Sequence, residues 1–281
     1  MATMCYRNLL VCLEANPRSD ERLEFALRLA AEHDAHLTAL LIDYTPYNPR
    51  AKYGFLSPMI ARFEEELQHH HEQAHASFEQ KARALGLDYG WATARQFELP
   101  AAVAYSRGFD LVIAGQYDPA DEKGQAAETF PDQLLLGSGR PVLMYPAMGS
   151  FNADFGNIVV IWNGSREVAR AVADAMPLLM RAEKVTVLTA APPPRRNEKS
   201  TLQAPDIATQ LQRHQVRAEH IVNPCAPNES DWLLTRAQGL EQRADLLVAG
   251  AYGHSRVGEL VFGGVTRKLL QEMSIPVLMS H

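Results

Sequence analysis

Cysteine is scarce in this chain, with only Cys5, Cys12 and Cys225 among 281 residues. They form no Cys-x-x-Cys pair and their number is odd, which argues against a disulfide framework and suits a reducing compartment; the cytoplasm is the expected location. Long apolar runs are missing as well, since no stretch of about eighteen residues could cross a bilayer as a helix. The opening residues run into a strand-like segment without the charged start and apolar core of a secretory leader. A net charge of −6 with no dense basic block leaves no electrostatic footprint for nucleic acid or an anionic membrane, so neither is expected as a partner.

Two common nucleotide motifs are also absent. There is no Gly-x4-Gly-Lys-(Ser/Thr) loop, and no Gly-x-Gly-x-x-Gly follows the first strand of either half. The turn Trp162-Asn-Gly-Ser-Arg166 falls short of the Ser-Gly-Gly-x-Asp-Ser pattern of pyrophosphate-releasing synthetases, which counts against an adenylating enzyme.

What is present is a repeat. Phe109-Asp-Leu-Val-Ile-Ala-Gly115-Gln-Tyr117 is echoed by Ala244-Asp-Leu-Leu-Val-Ala-Gly250-Ala-Tyr252, and Pro141-Val-Leu-Met144 by Pro276-Val-Leu-Met279, both at an offset of 135 positions. The front strands Arg7–Leu13 and Gly156–Trp162 match too, as apolar runs each followed by a Ser and an amphipathic helix. The chain therefore reads as a duplicated domain, residues 1–147 and 155–281, joined by the turn-forming stretch around residues 146–154. In each half, short Val/Ile/Leu runs alternate with helix-period segments, the pattern of βαβ units around a parallel sheet.

Strands are expected near residues 8–13, 36–42, 88–95, 110–115 and 141–145, and again near 157–162, 184–190, 218–222, 245–250 and 276–280. Ser19 and Ser165 are the expected caps of the helices after the first strands. A long helix over Pro58 to Leu85 in the first half has only a Pro-rich loop and a shorter helix as its counterpart in the second.

The most specific pattern follows the fourth strand of the second half: Gly250-Ala-Tyr-Gly253, then Gly263-Gly264-Val265-Thr266. A strand ending in Gly-x-x-Gly and a second glycine pair opening a helix together present backbone N–H groups and a helix N-terminus, which favour phosphate. In a sheet ordered 3-2-1-4-5 the crevice lies between the ends of the first and fourth strands, so Trp162-Asn163-Gly164 would face this loop. The same offset in the first half puts Asp118 opposite Gly253, Glu128 opposite Gly263 and Pro131 opposite Thr266. A carboxylate about 4 Å from a phosphate oxygen costs about 4 kcal/mol at an effective dielectric near 20. The first half should not bind a polyphosphate.

These residues resemble the universal stress protein family in its tandem form, over nearly the whole chain, with Gly-x2-Gly-x9-Gly at Gly250, Gly253 and Gly263 as the most specific motif. The resemblance implies two α/β domains, each an open five-stranded parallel sheet (order 3-2-1-4-5) flanked by helices. It also implies ATP, with Mg2+ entering on its phosphates, in the second domain only. By position, the backbone around Ala249, Gly250, Gly253, Gly263, Gly264, Val265 and Thr266 would hold phosphates, and Trp162, Asn163 and Ala190 would meet adenine and ribose.

Two positions depart from the family pattern: Gly264 stands where Ser or Thr is usual, and Asn163 where an aspartate is usual. The resemblance further implies an intrachain pseudo-dimer through Val142–Met144 and Val277–Met279, with a homodimer as a further assembly, and action in stress tolerance through binding. No catalytic residue and no metal ligand is assigned. The alternative is a nucleotide-independent scaffold or small-ligand binder of the same fold.

Other signals compete. His71-Glu72-Gln-Ala-His75 matches the zinc-protease pattern His-Glu-x-x-His, yet it sits in a polar helix with four histidines and has no third ligand at a recognisable spacing, so a solvated helix face is the plainer reading. Glu167, Asp174 and Glu183 show no pairing suited to acid/base work and are expected to be surface charges. Cys225 has no neighbouring cation to activate it. His254 stands beside Gly253, where it either approaches a phosphate or is simply solvated.

Overall fold

The computed structural model describes residues 4–14, 17–45, 57–118, 125–190, 206–223, 244–252 and 264–281. The chain divides into two compact units, Tyr6–Ser138 and one built from Gly139–His281 with Met4 and Cys5.

The first unit contains β1 (Asn8–Glu14), α1 (Pro17–His33), β2 (His36–Asp43), α2 (Ser57–Ala84), β3 (Tyr89–Arg95), α3 (Leu99–Ser106), β4 (Leu111–Gly115) and α4 (Gln125–Gly137). Its strands are parallel in the order β3-β2-β1-β4. Parallel strands covered on both faces read as unbroken apolar runs rather than alternating ones. Accordingly Leu9 to Leu13 and Leu111 to Ala114 are all buried.

The second unit contains β5 (Val142–Tyr145), β6 (Asn157–Ile161), α5 (Arg166–Leu179), β7 (Lys184–Ala190), α6 (Ile207–Arg213), β8 (Ala218–Asn223), β9 (Leu246–Gly250), α7 (Gly264–Glu272) and β10 (Val277–Ser280). The strands run β8-β7-β6-β9-β10-β5. The first five are mutually parallel, which is the expected 3-2-1-4-5 order of the second repeat. β5, last strand of the first repeat in chain order, pairs antiparallel with β10 through Val277 and Met144, Leu278 and Leu143, and Met279 and Val142. All of these residues are buried, so the pairing removes two edges that would otherwise present unpaired backbone groups.

The duplication extends to polar detail. Asp110 Oδ2 accepts the backbone N–H of Arg7 and of Asn8 at 2.8 and 3.0 Å, and Asp245, one repeat later, accepts that of Asn157 at 2.7 Å. Each carboxylate ties the amino end of its fourth strand to that of its first, fixing the register on which the opposite, carboxyl end depends. Ser165 caps α5 as expected, accepting the Val168 N–H at 3.3 Å. Ser19 does not cap α1. It lies inside the helix, buried, where its Oγ accepts the Glu14 N–H at 2.8 Å and a bond from Arg22 Nη2 at 3.1 Å.

Candidate functional site

In the second domain β6 and β9 are neighbours, paired from Ile158 with Leu246 to Ile161 with Ala249. Beyond them the strands continue in opposite directions, to β7 on one side and β10 on the other. This is the reversal of strand order at which open α/β sheets collect ligands. The chain leaves β6 through Trp162, whose N–H donates to Leu188 O at 2.8 Å and extends the parallel ladder by one residue. Asn163 then accepts the Ser165 N–H on Oδ1 at 3.0 Å, Gly164 takes a left-handed φ of 71°, and α5 begins. The Asn163 side-chain oxygen is thus engaged in its own turn, while its NH2 keeps its capacity as a donor.

Opposite lies the end of β9. A Cβ on Gly250 would stand 2.6 Å from the Val168 nitrogen and 2.9 Å from the Glu167 carbonyl carbon. Those are backbone atoms at the start of α5 that cannot step aside, so glycine here is a packing requirement. Ala249 is buried. Beyond it, the Ala251 N–H donates to Ser280 O at 2.8 Å, and the Tyr252 N–H donates to Thr266 Oγ1 at 3.1 Å. Thr266, itself buried, therefore ties the strand exit to the first turn of α7, and its hydroxyl proton remains able to serve a further acceptor. α7 starts at Gly264, followed by Val265, and Ala190 ends β7 opposite Asn223. Gly253, Gly263, His254 and Cys225 lie outside the described residues, and so does the loop between the two glycine clusters.

Two of the three carboxylates expected on the surface are not there. Glu167 is buried to 2% exposure, paired with Arg166 Nε at 2.6 Å. Burial alone would raise its pKa, but hydrogen bonds from Arg166, its own backbone N–H and Ser165 outweigh that and hold it below the ordinary carboxylate range. Asp174 is largely covered, accepting Arg170 Nε at 2.8 Å and Ser280 Oγ at 2.9 Å. Both brace α5 rather than face solvent, a consequence of the close approach of this helix to β9 and β10. Glu183 is exposed.

The corresponding crevice of the first domain is occupied by its own side chains. Its described walls include Cys12, Glu14, Tyr44, Gly115, Phe130 and Pro131, and about 20 Å³ remains, space for roughly one water. The rings of Tyr44 and Phe130 meet edge to face, 6.4 Å apart, and both are buried. Phe130 stands one offset before Val265, so the sequence has an aromatic residue where the second half has valine. Burial pushes the Cys12 thiol up to about 12, with the Arg22 cation opposing the shift, and burial together with the Glu14 charge raises the Tyr44 hydroxyl well above its usual range. Neither group is reactive near neutral pH.

Gly115 meets not backbone but the Arg22 guanidinium, whose Cζ would lie 2.9 Å from an added Cβ. That guanidinium is buried, donating to Cys12 O at 2.8 Å and lying 3.7 Å from Glu14 Oε1. Tyr44 and Arg22 were not singled out from the sequence. The only signal available was their place, just after the second strand and one turn into the first helix, where the second half has quite different residues.

The His-Glu-x-x-His match is absorbed by packing. His75 stacks on Trp91 of β3 with ring centroids 4.9 Å apart, and His71 is partly covered, its pKa lowered by burial against the opposing pull of Asp43. Among the described residues no group of three or more His, Cys, Asp or Glu side chains is arranged to hold a metal ion. A larger cavity, about 420 Å³, opens at the other ends of the strands, by the amino ends of β6 and β9, and is lined in part by Asp154, Glu183 and Asp245. Three carboxylates there disfavour a polyphosphate.

The fold is a tandem doubly wound α/β arrangement, and in the first domain side chains fill the switch point. A family model for the universal stress protein family matches residues 5–138 and 154–281. The chain belongs to that family, as a tandem member. It is similar to the crystal structure of a universal stress protein from Archaeoglobus fulgidus, with 13% identity, 96% of this chain and 94% of that chain covered and a TM-score of 0.70. It is similar also to a putative universal stress protein from Pseudomonas aeruginosa, with 19% identity, 99% and 94% covered and a TM-score of 0.57. At such identities the likeness concerns the fold. No curated protein matches the chain. Among the described residues no helix is long and apolar enough to cross a membrane.

Proposed function

We propose that the second domain binds adenine nucleotide, ATP in the first place, at the carboxyl ends of β6 and β9, and that the first domain does not. The observation behind this reading is the asymmetry of the two crevices: in the first domain Tyr44 and Phe130 leave room for about one water, while at the same place the second domain has Gly250, Gly264 and a threonine hydroxyl. The donor set suits a phosphate chain. The N-terminus of α7 at Gly264 and Val265 and the Thr266 hydroxyl would offer N–H and O–H groups, while the N–H groups of Ala251 and Tyr252 already donate to Ser280 O and Thr266 Oγ1. Gly253 and Gly263 would complete the cradle by close backbone approach. Trp162, Asn163 and Ala190 would meet base and ribose, with the Asn163 NH2 donating to a ribose hydroxyl. Mg2+ would arrive on the phosphates, since Asn163 replaces the carboxylate that could have held it.

In this reading the protein works by binding in a cytoplasmic stress response, with the nucleotide setting which conformation its partners meet. Turnover is not part of the proposal. A nucleotide-independent scaffold is the second reading, and the use of Asn163 Oδ1 within its own turn is the observation that favours it. Calorimetric titration of the Gly253→Asp variant, which copies the first domain, separates the two. Binding seen in the parent and lost in the variant supports the nucleotide reading, whereas equal behaviour of both supports the scaffold.

A further inference from the structure

On β7, β8 and the N-cap of α6 in the second domain, three side chains form a continuous hydrogen-bonded line. Asp206 Oδ1 lies 2.7 Å from His220 Nδ1, and His220 Nε2 lies 2.8 Å from Thr189 Oγ1. A carboxylate can only accept, so Nδ1 carries the proton; in the neutral ring Nε2 is then an acceptor, and the Thr189 hydroxyl donates to it. Asp206 is itself held. As the N-cap of α6 it accepts the backbone N–H and the hydroxyl of Thr209 on its other oxygen, at 3.0 and 2.9 Å. Those bonds and the His220 contact keep its carboxyl below the usual range, hence ionised at neutral pH. The His220 side chain is 21% exposed and Thr189 is half-buried, so the line ends within reach of solvent.

The fold does not require this arrangement. By strand register, Thr189 corresponds to Leu41 in the first domain and His220 to Trp91. There the positions are apolar: Leu41 is buried, and Trp91 packs with Phe78 and His75. The same sheet therefore accepts a hydrocarbon solution at this place. The second domain instead holds three polar groups in the order orienting carboxylate, base, hydroxyl, each within the span at which a hydroxyl is activated for attack.

We propose that Asp206, His220 and Thr189 form a nucleophilic site that cleaves activated acyl esters. Thr189 Oγ forms a bond to the ester carbonyl carbon while its proton passes to His220 Nε2. The carbonyl carbon–aryloxy bond then breaks, and the aryl oxide leaves with the electron pair and takes up that proton, which returns His220 to its neutral form. Water, giving a proton to His220, attacks the acyl-threonine, releasing the carboxylic acid and restoring the hydroxyl. The balance is ester plus water to acid plus phenol. Asp206 is the positioning residue, fixing the tautomer without touching substrate.

The test uses the full chain with p-nitrophenyl acetate, following p-nitrophenolate release and mapping acetylated peptides by mass spectrometry. Thr189→Ser keeps the hydroxyl and Thr189→Val keeps the shape. The proposal expects release above the buffer rate in the parent, at least half of it kept in Thr189→Ser, a loss of tenfold or more in Thr189→Val and in His220→Gln, and acetyl on residue 189 in the parent. It is overturned by release no faster than buffer, by equal rates in the parent and Thr189→Val, or by acetyl confined to lysines and cysteines. Circular dichroism of each variant guards against unfolding. Should Thr189→Val unfold, acetyl mapping in the parent still decides. Nucleotide binding does not enter the readout, so this result and that of the ATP titration stand or fall separately.

Discussion

The two repeats keep the same strands in the same register and differ in what they place at the strand ends. In the first domain Tyr44, Phe130 and Pro131 fill the switch point, and a buried guanidinium presses against Gly115. In the second, Gly250 is pressed instead by the backbone of α5, and the exit of β9 is tied to α7 through Thr266. Both first-position glycines are thus retained for local packing, and glycine at that position does not by itself report a nucleotide. The discriminating features are the residues around it: an aromatic ring at 130 against valine at 265, proline at 131 against threonine at 266, aspartate at 118 against glycine at 253.

The comparison can be broken at several points. The largest effect is expected from Gly253→Asp, which should weaken ATP binding by at least a hundredfold in calorimetry, because a carboxylate about 4 Å from a phosphate oxygen costs about 4 kcal/mol. Tyr44→Ala acts on the other side of the comparison. It should destabilise the first domain by about 3–5 kcal/mol, the usual cost of removing a buried aromatic ring, measured by urea denaturation. It should add no second nucleotide, since Asp118 and Pro131 remain. Gly250→Ala should cost about 1–3 kcal/mol because the added methyl meets backbone, and should reduce ATP affinity with it; full stability in that variant would contradict the packing account.

The smallest effect concerns pH. The Glu167 pKa is lowered in the folded state, so its contribution to stability is present above the ordinary carboxylate pKa and is lost as pH falls through the lowered value. Glu167→Gln should therefore lower Tm at neutral pH by the equivalent of about 1 kcal/mol. The gap between variant and parent should close on acidification, followed by thermal melts at a series of pH values.

Much of this was legible in the sequence because it is local or periodic. Apolar runs such as Leu9–Leu13 and Leu246–Ala249 announce covered parallel strands, and the fixed offset of 135 aligns the repeats. The pairing of the segments Val142–Met144 and Val277–Met279 was also anticipated, though not its antiparallel register. What stayed hidden depends on contacts between elements distant in sequence. Nothing local tells that Glu167, in the first turn of a helix, is buried beside Gly250 of β9 while Glu183 is exposed. Nor does it tell that Ser19 turns inward to Glu14 and Arg22 instead of capping its helix. Tyr44 lies beside a stretch with no repeat counterpart, so the offset that exposed Asp118 and Pro131 could not expose it. The His-Glu-x-x-His match shows the converse: a pattern complete in sequence whose second histidine is stacked on Trp91.

The most direct test is native mass spectrometry of the purified full chain incubated with ATP and Mg2+, counting bound nucleotide. The account predicts one ATP per chain, abolished by Gly253→Asp and unchanged in number by Tyr44→Ala. Two nucleotides per chain, or none, would contradict it.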